Sequence, residues 1–139
     1  MNVKDIYTLC LRFFANEEAA KNLVHKIYLN AWYDKKKYRT DLTFSEWLHS
    51  AAIYEVIANL SSLLNEIDSN IISVNKKNLP FFDKNLFSLS NRERILFVMH
   101  DIEGFSYSEI ADLFATQDVD EIRNTIYNVR SKLAEEFKR

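Results

Sequence analysis

Glycine, proline and cysteine each occur once in 139 residues. Tight hairpins depend on residues that accept φ > 0, so a chain this poor in glycine has little material for a multi-stranded sheet, and helices are expected throughout. A single cysteine, Cys10, cannot close an internal disulfide. No Cys/His set has zinc-ligand spacing, which predicts a reducing compartment and no structural metal. No segment stays apolar for about 18 residues, and Met1–Asp5 has no basic stretch leading into an apolar run, so neither a membrane span nor a secretory leader is expected, and the chain reads as cytoplasmic. A cationic excess is missing as well. The 18 Lys and Arg face 20 Asp and Glu, a net charge of -2, which is not the basic balance usual for nucleic-acid binding. His25, His49 and His100 are scattered, none paired with a Ser or Cys at a catalytic or metal-binding spacing, so an enzyme, a cofactor and a small-molecule substrate are not expected.

What is present is apolar and periodic. Hydrophobic residues make up 47% and aromatics 14%, enough to build cores. Ile6, Leu9, Cys10, Phe13 and Phe14 recur at helical spacing. Asn16 is placed as the N-cap of a second helix, with Glu17 and Glu18 in its first turn and an apolar stripe from Ala20 to Ala31. Thr43-Phe44-Ser45-Glu46 is a capping box, with Leu42 and Trp47 as its hydrophobic staple, for a third helix reaching Leu60 or Leu64. The helical spacing of Trp32, Phe44 and Trp47 assigns them to packing rather than to stacking on bases. Residues 65–80 are polar and end on Pro80, the pattern of a linker.

Beyond it, Ser90-Asn91-Arg92-Glu93 is a second capping box. Gly104 sits where an αL residue would stop its helix, and Ser106-Tyr107-Ser108-Glu109 opens the next. Asp118-Val119-Asp120-Glu121 starts a long last helix with Ile122, Ile126, Val129, Leu133 and Phe137 on one stripe. Short helix, brief turn and long helix make a helix-turn-helix. Glu103 and Glu109 are explained by the helix end and the cap. The expected fold is all-α: an N-terminal helical bundle over 1–64, a linker over 65–80 and a helix-turn-helix domain over 81–139.

Leu89-Ser90-Asn91-Arg92-Glu93-Arg94, followed by the run His100-Asp101-Ile102-Glu103-Gly104-Phe105-Ser106-Tyr107-Ser108-Glu109-Ile110-Ala111, closely resembles the promoter-reading C-terminal region of extracytoplasmic-function sigma factors. The N-terminal half is similar to the core-binding region of that family at Asn16-Glu17-Glu18-Ala19-Ala20, Leu23-Val24, Tyr28-Leu29, Ala31-Trp32, Phe44 and Trp47-Leu48. The resemblance implies two helical domains that bind core RNA polymerase and promoter DNA, under the control of a helical anti-sigma partner, with no membrane involved. It places Asn22, His25 and Lys26 on the polymerase-facing side of the second helix, where the family is acidic. It places Lys35, Lys36, Lys37, Tyr38 and Arg39 at the connection that captures a base of the melted strand, although a solvated basic loop explains that run as well. Arg123, Asn124, Tyr127, Asn128 and Arg130 would be presented to duplex DNA.

Several partner-facing positions depart from the family. The third helix carries Ser50, Ile53, Tyr54, Ala58 and Ser61 where basic and Asn/Asp residues are usual, and the last helix opens with Asp120 and Glu121, which either complement the helix dipole or repel phosphate. Two further readings therefore stand beside the sigma factor. One is a sigma-like interaction protein that binds an anti-sigma factor or another regulator without binding DNA, and the other is a dimeric helix-turn-helix regulator that acts without polymerase.

Overall fold

A computed structural model of the chain describes residues 3–33, 43–66 and 79–138 apart from 115 and 117, together with 74, 75 and 77. The described residues form α1 (Val3–Phe14), α2 (Glu17–Tyr33), α3 (Phe44–Glu66), α4 (Phe81–Leu86), α5 (Asn91–Phe97), a π-helical turn (Val98–Ile102), α6 (Tyr107–Leu113) and α7 (Val119–Phe137), with no strand among them. They divide into two compact units, Met1–Val74 and Asn75–Arg139.

In the first unit α1 packs on α2 and α3, and α2 on α3. The turn between α1 and α2 is two residues, Ala15 and Asn16. Ala15 takes φ 51°, its N–H reaches back to the Leu11 carbonyl at 2.7 Å, and Asn16 Oδ1 then accepts the Ala19 N–H at 2.9 Å to cap α2. Thr43 caps α3 in the same way, accepting the Glu46 N–H at 3.1 Å; Leu42, its expected staple partner, lies outside the described residues. Leu48, Ala52, Val56 and Leu60 recur every fourth residue and face the stripes of α1 and α2. Phe13 and Phe14 are almost completely buried, each contributing about 2–3 kcal/mol relative to an exposed ring.

Two aromatics assigned to packing are on the surface instead: Trp32 is 66% and Phe44 58% exposed, while Trp47 is half-buried. Ala31 takes the buried position at the end of the α2 stripe, which turns the next residue, Trp32, outward.

In the second unit α5 and α6 both pack on α7. Ser90 and Ser106 each complete a reciprocal capping box, with Glu93 and Glu109 respectively. Gly104 adopts φ 82° and ends the first of these helices, as its place in the sequence suggests. The helix reaches it through the π-helical turn, in which the Glu103 N–H bonds to the Val98 carbonyl five residues back. Ile122, Ile126, Val129 and Leu133 form the buried stripe of α7. Phe137 is exposed at the end of that helix and packs edge-on against Phe81 of α4, the ring centroids 5.2 Å apart. Arg94 is fully buried. Its guanidinium donates to Asn91 Oδ1 at 2.8 Å, and burial pushes its pKa down to about 10.

Candidate nucleic-acid interface

The helix-turn-helix is α6, a short turn and α7. Asp118 starts α7 by accepting the Glu121 N–H at 3.0 Å, and the Thr116 N–H bonds back to Ala111 at 3.0 Å, which fixes the exit from α6. With Ile122, Ile126 and Val129 turned inward, the outward positions fall to Asn124, Tyr127 and Asn128, spaced i, i+3, i+4 on one face. Tyr127 is 50% exposed, and both asparagines are exposed.

The two arginines expected on this surface are held at its edges. Arg130 places a bidentate fork on Asp101, with Nε to Oδ2 at 2.8 Å and Nη2 to Oδ1 at 2.7 Å, and its guanidinium lies 5.4 Å from the Tyr127 ring centroid. The hydrogen bonds it donates to Asp101 raise its pKa, more than offsetting the opposing effect of burial. Arg123 bonds Asp120 at 2.8 Å and sits 5.2 Å over the Tyr107 ring, which is itself stacked on His100 at 4.2 Å. His100 Nδ1 lies 2.7 Å from the Phe105 carbonyl oxygen; that oxygen can only accept, so the proton is on Nδ1. Further along α7, Lys132 is paired with Glu93, and Arg92 of α5 with Glu121 at 2.9 Å.

In the first unit Asn22, His25 and Lys26 are exposed together on one face of α2. Lys26 also turns toward α3, with Nζ 3.6 Å from Glu55 and 3.4 Å from Asn59 Oδ1, and Asn30 donates to Glu55 at 2.7 Å. Lys35, Lys36, Lys37, Tyr38 and Arg39 lie outside the described residues. Among the described residues no group of acidic, His or Cys side chains could hold a metal ion, and no helix is long and apolar enough to cross a membrane.

Sequence reasoning placed Glu93 in its capping box but missed its pairing with Lys132, the pairing of Asp101 with Arg130 and the stacking of Tyr107. The Asp120–Arg123 pair is visible as an i, i+3 spacing, whereas Asp101 and Arg130 are 29 positions apart and Glu93 and Lys132 are 39 apart. Only the tertiary fold brings those two pairs together, Glu93 from α5 and Asp101 from the turn that follows it.

Residues 86–133, from the end of α4 to the fourth turn of α7, match the family model for sigma-70, region 4. Over this segment the chain is similar to the sigma-70 family. The region 4 match takes in α5, the π-helical turn, α6 and the exposed stripe of α7. Over nearly its whole length the chain shares its fold with the sigma factor RpoE of Bartonella quintana, solved in complex with the anti-sigma factor NepR. The TM-score is 0.56 at 20% identity, covering 98% of this chain and 91% of that one. No curated protein matches the chain.

Proposed function

We infer that this chain works as a sigma factor of the extracytoplasmic-function type, binding core RNA polymerase and directing it to promoter DNA. The observation that carries the reading is that the region 4 match coincides with a fully capped helix-turn-helix whose second helix exposes Asn124, Tyr127 and Asn128. Helices of this arrangement lay their outer face in the major groove. Asn22, His25 and Lys26 of α2 supply the polymerase-facing surface, and the Lys35–Arg39 run supplies the contact to the melted strand. A helical anti-sigma partner is the expected regulator. The fold neighbour was solved with an anti-sigma factor.

One observation favours a second reading, a sigma-like protein that engages a regulator and not DNA. The surface cations of the matched segment are already paired with carboxylates. The experiment that decides is capture of the purified chain by core RNA polymerase, followed by transcription from a promoter library. Capture with promoter-dependent transcripts is the expected result; binding to an anti-sigma factor with no capture would move the assignment to the second reading.

A further inference from the structure

The segment 86–133 carries five Lys and Arg against eight Asp and Glu, a formal charge of -3. Of the five cations, Arg94 is buried and the other four, Arg92, Arg123, Arg130 and Lys132, are each paired with a carboxylate of the same unit. The exposed pairs are individually weak and can open. Opening one does not change the field, because its carboxylate stays on the surface that the phosphates would meet. The firmest of the four is the fork on Asp101, whose side chain is only 18% exposed. What remains at the centre of the outward face is neutral: Asn124, Tyr127 and Asn128. Asparagine is a poor helix former, so two of them one turn apart on an exposed face of a 19-residue helix do nothing for the helix itself.

Resting on the sigma-factor reading, we propose that α7 selects promoters through the side-chain amides of Asn124 and Asn128, each reading an adenine, while Arg123 and Arg130 are withheld from the bases by Asp120 and Asp101. An amide matches adenine by accepting from N6 and donating to N7, a pairing no other base offers in the major groove. Four residues of helix rise about 6 Å, which spaces the two adenines within about two base-pair steps. A guanine contact, the usual task of an arginine on such a helix, is not part of this recognition, and phosphate attraction contributes little to it.

The test is selection from a randomised duplex library by the full chain bound to core RNA polymerase, followed by affinities of single-pair variants of the winning duplex. Two adenines within about two steps are expected. Replacing either by guanine should cost about tenfold in the wild type, and almost nothing in Asn124→Ala or Asn128→Ala at its own position. Asp101→Asn should tighten binding to all duplexes alike and steepen the salt dependence by about 0.9 in log–log slope, as expected for one added phosphate contact. Thermal unfolding checks that the variants fold. A guanine preference abolished by Arg123→Gln or Arg130→Gln, or an adenine preference that survives both asparagine variants, overturns the proposal and leaves the sigma-factor reading standing. Failure of the wild-type chain to bind polymerase at all removes that reading, and the proposal with it.

Discussion

Replacing Ser106 by alanine tests whether the helix-turn-helix is set by its cap. The Ser106 hydroxyl accepts the Glu109 N–H at 3.1 Å, and Glu109 returns the contact by accepting the Ser106 N–H at 3.0 Å. Alanine removes the first bond outright and leaves only the second, which uses the backbone N–H that alanine keeps. Loss of a serine N-cap costs about 1 kcal/mol, within a range of about 0.5–2. The α6 helix has only seven residues, too few to hold its first turn by cooperativity alone, so the lower end of that range does not apply and the loss is about 1–1.5 kcal/mol. For a unit the size of Asn75–Arg139 this corresponds to a fall in Tm of roughly 5–10 °C. Calorimetry on the full chain would show the C-terminal transition moving while the N-terminal one stays in place. Ser106→Asn, which keeps a capping acceptor, should recover most of the loss. A shift below about 1 °C in Ser106→Ala, or an equal shift in both units, would refute the idea that this cap sets the local stability.

Other outcomes follow from the same structure. Hydrogen bonds from Ser106 lower the Glu109 pKa; at Glu93 burial acts upward, but bonds from Lys132 and Ser90 outweigh it and the net shift is also downward. Both groups are therefore depressed in the folded state, and their stabilisation is fully present above the unfolded value of about 4.3 and is lost as pH falls through the lower folded values, which urea melts at pH 7 and pH 3.5 would reveal. Ala15 and Gly104 both sit at positive φ, so Ala15→Gly should stabilise the first unit and Gly104→Ala destabilise the second, by about 1 kcal/mol each. A Cβ at Gly104 would meet nothing within 4 Å, so that cost is backbone strain alone and should fall in Gly104→Asn, as read by thermal melts. Cys10 is completely buried and its thiol is pushed up to about 12, so it should react with a disulfide reagent only at the rate at which the first unit opens; fast labelling at pH 8 without denaturant would contradict its placement.

Much of this fold is legible because five of its helices, α2, α3, α5, α6 and α7, announce their own beginnings. Asn16, Thr43, Ser90, Ser106 and Asp118 all accept the N–H three residues on, as their side chains and spacing indicate. What cannot be read locally is α4, whose six residues are too few for a periodic pattern, and the π-helical turn, whose apolar residues continue the pattern of α5 without a break. The burial of Arg94 is hidden too, since Arg92-Glu93-Arg94 has the composition of a solvated run. At the interface the neutral stripe on α7 follows from helical spacing, but the partners of Arg130 and Lys132 come from α5 and the turn after it. A sequence that shows three cations on a helix does not show which of them are spoken for.

The turn at Val98–Ile102 makes the geometry of the second unit a matter of counting. One residue beyond the α-helical complement advances the angular phase of everything downstream by about 100°, and it is in this shifted phase that Asp101 meets Arg130 and Gly104 arrives at its left-handed position. Removing any one residue from the turn would restore an ordinary α-helix and lose both arrivals at once. Length in this stretch is therefore constrained alongside composition, since the buried Val98 and Met99 and the Asp101 that meets Arg130 all depend on the extra residue.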